Sequence, residues 1–139
     1  MSIFLLTLIA AIVSMILGAV WYMPLFGKHW AKATGREHRA EDQKPTMKTM
    51  AGPLALNFVS NVLMSFVVFL ILAGFGAATI SQALITVAVL FVGFAIPFTV
   101  GSVMWKGFST KQQLQQFGIS AGFQLINFAV WALIFVWLM

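Results

Sequence analysis

Four long runs of apolar residues follow one another along the chain and are separated by three more polar segments. The runs cover about residues 3–25, 51–73, 80–105 and 114–139, and none contains Asp, Glu, Lys, Arg or His in its interior. A helix of roughly 20 apolar residues spans a bilayer core, and lipid offers no partner to an open backbone. The pattern therefore predicts an all-α membrane protein, a four-transmembrane-helix bundle that forms one domain over residues 1–139.

The composition of the chain agrees with this pattern. Hydrophobic residues make up 61% of the 139 residues and charged residues only 8%, whereas about a quarter of a typical soluble domain is charged. The chain has no cysteine, which excludes disulfides and cysteine-ligated metals. We expect the first run to be a retained helix rather than a signal peptide, because Met1 and Ser2 carry no basic group and the run is too long.

All eight basic residues lie in the first and third connecting segments, at about residues 26–50 and 106–113. The positive-inside rule predicts that both segments are cytoplasmic and that both termini lie outside, in a multi-pass protein of the inner (plasma) membrane. Lys28–Thr34 is a candidate short interfacial helix. The expected partners are membrane lipids, with anionic head groups on the cytoplasmic side. Nucleic acid is not expected, because the basic residues are few and share their loop with acids.

Polar side chains recur on one face of two predicted helices, at spacings of three and four residues. They are Asn57, Asn61 and Ser65 on the second helix, and Ser120, Gln124, Asn127 and Trp131 on the fourth. An amide facing lipid is costly, so both faces should point inward. Three alternatives remain: hydrogen bonds between helices, a polar intramembrane pocket for a small neutral or cationic molecule, or an interface with another subunit.

Small residues form further stripes, which let helix backbones approach closely. The first helix has Thr7, Ala11, Ser14 and Gly18, the third has Gly93, Pro97 and Gly101, and the fourth has Gly118 and Gly122. These stripes predict helix packing within the monomer or, alternatively, a homo-oligomer interface.

The membrane segments lack the residues that several activities need. Without an intramembrane acid or base, a proton-coupled antiporter and an anion pore are both disfavoured. His29 and His38 of the first loop could ligate a metal, but solvated histidines are the commoner case. No nucleophile–His–acid arrangement is visible, so we expect no enzyme, no metal and no cofactor.

A distinct stretch, GAVWYMPLFGKHW, runs from Gly18 to Trp30. Pro24 opposes a regular helix, Gly27 permits a turn, and aromatic rings with a snorkelling lysine suit the head-group region. We name the following residues the aromatic corner: Gly18, Trp21, Tyr22, Pro24, Phe26, Gly27, Lys28 and Trp30. The aromatic corner has two interpretations. It is a turn by which the chain leaves the membrane, or its Trp21 and Tyr22 close the cytoplasmic end of the polar intramembrane pocket.

The aromatic corner resembles a motif of the bacterial family called domain of unknown function 1761, G-x-x-W-Y-x-P followed by F-G-K-x-W. The stretch ISAGFQL over residues 119–125 is similar to that family's I-N-A-G-Y-H-L. The resemblance implies a small membrane protein of four helices and implies no activity. Ser120, Phe123 and Gln124 stand where the family often has Asn, Tyr and His, so a titrating role at that position is not available here.

Two functional interpretations follow. The leading one is a small transporter- or channel-like protein with a polar intramembrane pocket, acting as a monomer or a homodimer. The alternative is a non-catalytic accessory or lipid-binding subunit of a larger membrane complex.

Overall fold

The computed structural model describes residues 1–35 and 47–139 of the chain, and within these ranges it contains helices and no strands. The six α-helices are α1 (Ile3–Val20), α2 (Gly27–Ala33), α3 (Met47–Gly74), α4 (Ile80–Leu90), α5 (Ile96–Met104) and α6 (Thr110–Leu138). Two π-helical turns, Trp21–Leu25 and Phe91–Ala95, connect α1 with α2 and α4 with α5. The predicted all-α class is confirmed.

Four helical stretches are long and apolar enough to cross a membrane, as predicted: Ile3–Leu25, Met47–Gly74, Ile80–Met104 and Thr110–Leu138. We call them spans 1 to 4. Span 4 begins four residues earlier than the apolar run suggested, and span 2 is helical from the first described residue after the gap, Met47. The first turn of span 4 is polar, and its start is set by a cap rather than by hydropathy. His38 and the acidic residues Glu37, Glu41 and Asp42, considered above for metal binding, lie outside the described residues.

Local side-chain chemistry sets the starts of α4 and α6. Thr79 accepts a hydrogen bond from the Gln82 backbone N–H, and the Gln82 side chain accepts one from the Thr79 N–H. Ser109 and Gln112 form the same reciprocal capping box at the start of α6. After α3, Gly76 has a φ of 65°, which suits glycine because it has no Cβ. The starts of α4 and α6 therefore follow from the sequence.

Helix α6 is the one that contacts every other α-helix of the described residues. Helix α3 packs mainly on α1, α1 also packs on α6, and α6 packs on α4 and α5. The densest core lies in the half of the bundle that holds both termini, where Phe69, Trp131 and Phe135 are buried together. In the opposite half, α2 packs on α6, whereas most of the first four turns of α3 are exposed. Helices α3 and α5 therefore diverge there.

Candidate functional site

The polar face of α6 is engaged mainly by span 1. The indole N–H of Trp131 donates to the Ser14 hydroxyl at 2.8 Å, and that hydroxyl donates to the Asn127 side-chain oxygen at 2.7 Å. All three side chains are at most 1% exposed. Hydrogen bonds in such a buried chain polarise and strengthen one another. The geometry is that of a buried interhelical hydrogen-bond network.

The polar face of α3 also meets span 1, at a different place. The side-chain amides of Asn57 and Asn61 donate to the sulfur of Met15 at 3.3 and 3.9 Å. The buried Ser65 hydroxyl donates to the Asn61 carbonyl of its own helix at 2.7 Å, and the Thr7 carbonyl of α1 lies 3.5 Å from it. The stripe of α6 thus bonds to α1, whereas Asn61 and Ser65 donate mainly to carbonyls of their own helix. The structure does not bring the two stripes together into one pocket, and the predicted inward position is wrong for Asn57, which is exposed.

The aromatic corner packs on the N-terminal half of α6. The Trp21 indole N–H donates to the Ile119 carbonyl at 2.9 Å, and the Tyr22 hydroxyl donates to the Ser120 hydroxyl at 3.3 Å. The rings of Tyr22 and Phe123 meet edge to face with centroids 5.5 Å apart. The two sequence stretches that carry the family resemblance therefore contact each other directly.

The remaining corner residues shape the path from span 1 into α2. Pro24 lies inside the π-turn Trp21–Leu25, which replaces the regular helix that its missing N–H disfavours. A Cβ on Gly27 would stand 3.3 Å from the Tyr22 carbonyl, so the turn is tight. Trp30 packs edge to face on Tyr22, and Phe26 lies 4.6 Å from Trp21, centroid to centroid. Lys28 is exposed.

Two glutamines that the sequence analysis did not single out hold α2 against α6. The Gln116 side chain, 1% exposed, donates to the Ala33 carbonyl at 2.7 Å, and Gln112 donates to the Lys32 carbonyl at 3.4 Å. These carbonyls end α2 and have no partner within that helix. The signal available in the sequence was the spacing of four residues that places both amides on one face of α6.

The small residues divide into two groups. Gly122 lies under the Trp21 ring, since a Cβ there would stand 3.1 Å from the indole, and Gly18 lies beside Phe123. A Cβ on Gly93, Gly101 or Gly118 would meet nothing within 4 Å, and Pro97 is exposed. The first group packs within the monomer, as do the buried Thr7, Ala11 and Ser14 of the first-helix stripe. The homo-oligomer interface stays a prediction.

A cleft lies between spans 2 and 3, with α6 as its floor. It consists of two adjoining cavities of about 380 and 330 Å³ that share Met64, Phe94 and Phe128. The other lining residues are Leu63, Val67, Val68, Ile71, Leu90, Ala95, Phe98, Thr99 and Gln124. We call this the span 2–3 cleft. The π-turn before Pro97 forms part of its wall, and its lining is uncharged and almost wholly apolar.

One predicted pocket residue, Gln124, lies at the floor of the span 2–3 cleft. Its side-chain oxygen is buried and has no hydrogen-bond partner. The neighbouring polar group, the Thr99 hydroxyl, donates to the Ala95 carbonyl at 2.7 Å and is therefore already engaged. Gln124 thus differs from Ser120, Asn127 and Trp131 on the same helix, which bond to span 1 or its π-turn.

The family model described as Protein of unknown function (DUF1761) matches residues 5–136, nearly the whole chain. The chain therefore belongs to this family, which confirms the resemblance seen in its two motifs. Comparisons with curated proteins and with solved structures give no match.

Proposed function

We propose that this member of the DUF1761 family is a non-catalytic membrane protein that binds a membrane lipid in the span 2–3 cleft. The observation that carries the proposal is the cleft itself, an uncharged groove of about 380 Å³ that joins a second of about 330 Å³. Ligand sites are typically concave, mostly apolar and roughly 300–1,000 Å³ in volume.

The dimensions of the cleft suit an extended hydrocarbon chain. Its α3 wall runs from Leu63 to Ile71, and at 1.5 Å per residue this wall is about 12 Å long. The wall residues are aliphatic or sulfur-containing on α3 and aromatic on the opposite side, at Phe94 and Phe98. A chain that leaves the bilayer for this groove exchanges lipid neighbours for close packing, which is the interaction that drives association within membranes.

The polar side chains favour lipid binding over transport of a polar solute. A polar path needs hydrogen-bonding groups that face a shared cavity, but Asn127 bonds to Ser14, Asn57 bonds to the Met15 sulfur, and Asn61 bonds to the Asn57 carbonyl. These groups hold the helices together and contribute roughly 0.6 kcal/mol per bond on average in membranes. Transport activity and membership of a larger complex stay predictions without support from this arrangement.

The proposal is tested by filling the cleft. Val67 lines the cleft and is half exposed, whereas Val92 of span 3 is 62% exposed and does not line it. The wild type, Val67→Trp and Val92→Trp are purified in a mild detergent, washed, and analysed by mass spectrometry for lipid retained per protein. We expect equimolar lipid on the wild type and on Val92→Trp, and a loss of most of it on Val67→Trp.

Two results would contradict the proposal. The wild type could retain no lipid after washing, or Val67→Trp could retain as much as Val92→Trp. Far-UV circular dichroism of each variant separates loss of binding from loss of fold, because a folded Val67→Trp retains the helical spectrum of the wild type. If Val67→Trp does not fold, Ala95→Phe fills the second cavity from the opposite wall and is compared with the same control.

A further inference from the structure

We infer that the lipid of the span 2–3 cleft is uncharged and donates a hydrogen bond from a hydroxyl group to Gln124. This inference rests on the proposed function and names the chemical class of its ligand. It is carried by three observations on the described residues: the depth of Gln124 in its helix, the absence of charge from the cleft lining, and the unpartnered Gln124 oxygen.

The depth of Gln124 selects against charged lipids. The residue is the midpoint of α6, fourteen residues from Thr110 and fourteen from Leu138, so at 1.5 Å per residue it lies about 21 Å from either end. A span of this length places Gln124 near the middle of the hydrocarbon layer. A phosphate or ammonium group at that depth is costly, and the cleft lining supplies no opposite charge. An uncharged lipid can lie near the midplane.

The chemistry of the site selects for a hydrogen-bond donor. The Gln124 side-chain oxygen is an acceptor that is buried without a partner, and such a group costs free energy until a donor reaches it. Thr99 cannot serve, because its hydroxyl already donates to Ala95. The oxygen itself has almost no accessible surface, so the amide must turn before a ligand can reach it. The terminal torsion of a glutamine is broad, and its rotation presents the oxygen to the cleft that the side chain lines.

The aromatic rings around Gln124 complete the description. Phe94, Phe98 and Phe128 line the same cavity, so a hydroxyl at Gln124 has an apolar surround in which water does not compete for the bond. The ligand class is therefore a neutral lipid with one free hydroxyl next to long hydrocarbon chains. A fully esterified or etherified neutral lipid has the chains without the donor.

The experiment compares two probes on the same protein in phosphatidylcholine nanodiscs. One is a diacylglycerol with a diazirine in an acyl chain, and the other is the same molecule with its hydroxyl methylated. Photolabelling of the wild type is expected to reach half-saturation at an about tenfold lower concentration of the hydroxyl probe than of the methylated probe. This ratio corresponds to the free energy gained when one buried acceptor receives a hydrogen bond. In Gln124→Leu the two probes are expected to label alike, at the concentration of the methylated probe.

Each outcome bears on a different claim. Equal labelling of the wild type by both probes, with loss of both in Val67→Trp, overturns this inference and leaves lipid binding in place. No saturable labelling by either probe overturns this inference, and if the wild type also retains no lipid after washing, the proposed function is overturned as well. The probe comparison uses the wild type alone, so it decides the question even if Gln124→Leu does not fold. Gln124→Met then replaces Gln124→Leu as the variant without an amide.

Discussion

The contact between Trp21 and Gly122 gives a sharp test of how span 1 docks on span 4. A Cβ built on Gly122 stands 3.1 Å from the Trp21 ring, closer than normal van der Waals contact. The ring has little freedom to withdraw, because its N–H is bonded to the Ile119 carbonyl at 2.9 Å and it packs on Phe26. We therefore expect Gly122→Ala to destabilise the folded protein by forcing the indole away from α6.

The magnitude follows from a matched control on the same helix. Replacing a helical glycine by alanine favours the helix by roughly 0.8–1.0 kcal/mol, and this gain is common to Gly122→Ala and Gly118→Ala. Gly118 has open space where its Cβ would lie, so only Gly122→Ala adds an overpacking cost of about 1–3 kcal/mol. The free energies of unfolding of the two variants should therefore differ by about 1–3 kcal/mol, with Gly118→Ala the more stable.

The difference is measured by unfolding the wild type, Gly122→Ala and Gly118→Ala in mixed micelles with increasing dodecyl sulfate. Helicity is followed by circular dichroism. Near-ultraviolet circular dichroism reports separately on the environment of the tryptophans and should change in Gly122→Ala and not in Gly118→Ala. Equal stability of the two variants, with identical aromatic spectra, would refute the docking of Trp21 on α6.

Three further predictions concern the polar network, the absence of a solute path, and the membrane surface. Ser14→Ala removes the partner of two buried groups and should cost roughly 1–3 kcal/mol in the same unfolding assay, whereas Ser81→Ala on an exposed turn should cost little. A cysteine at Asn127 should stay unreactive towards an aqueous maleimide in intact vesicles and react after denaturation; fast labelling would revive the transporter interpretation. Exchanging the exposed Lys28 and Lys32 for Gln should weaken the binding of anionic lipid to the protein by about 1 kcal/mol per lysine. The enrichment of anionic lipid around the protein is measured in vesicles of graded phosphatidylglycerol content. Unchanged enrichment would exclude α2 as the contact.

Much of the fold follows from the sequence because hydropathy and helix length are local properties. The four apolar runs predict the four spans, and Lys28–Thr34 predicts the short helix α2 to within one residue at either end. The early start of span 4 was missed because a helix continues into polar residues wherever its backbone is satisfied. Ser109 and Gln112 form hydrogen bonds with the free backbone N–H groups at the start of α6, and the sequence pattern of such a cap can be recognised.

The candidate site is less predictable, because it depends on which helices meet. The stripes of α3 and α6 predicted inward-facing amides, which is wrong for the exposed Asn57. The groups of α1 that the amides meet are a serine and a methionine sulfur. Such groups give little sequence signal. The span 2–3 cleft arises where α3 and span 3 fail to pack closely, and ordinary apolar residues such as Val67 and Phe94 line it. No local pattern distinguishes those residues from lipid-facing ones.

The span 2–3 cleft is the centre of this account, and a structure determined in lipid nanodiscs tests it most directly. We expect elongated, lipid-like density between the α3 wall and Phe94 that reaches the side chain of Gln124. A cleft closed by direct packing of α3 on span 3, or filled by a helix of a second protein, would contradict the proposed lipid site.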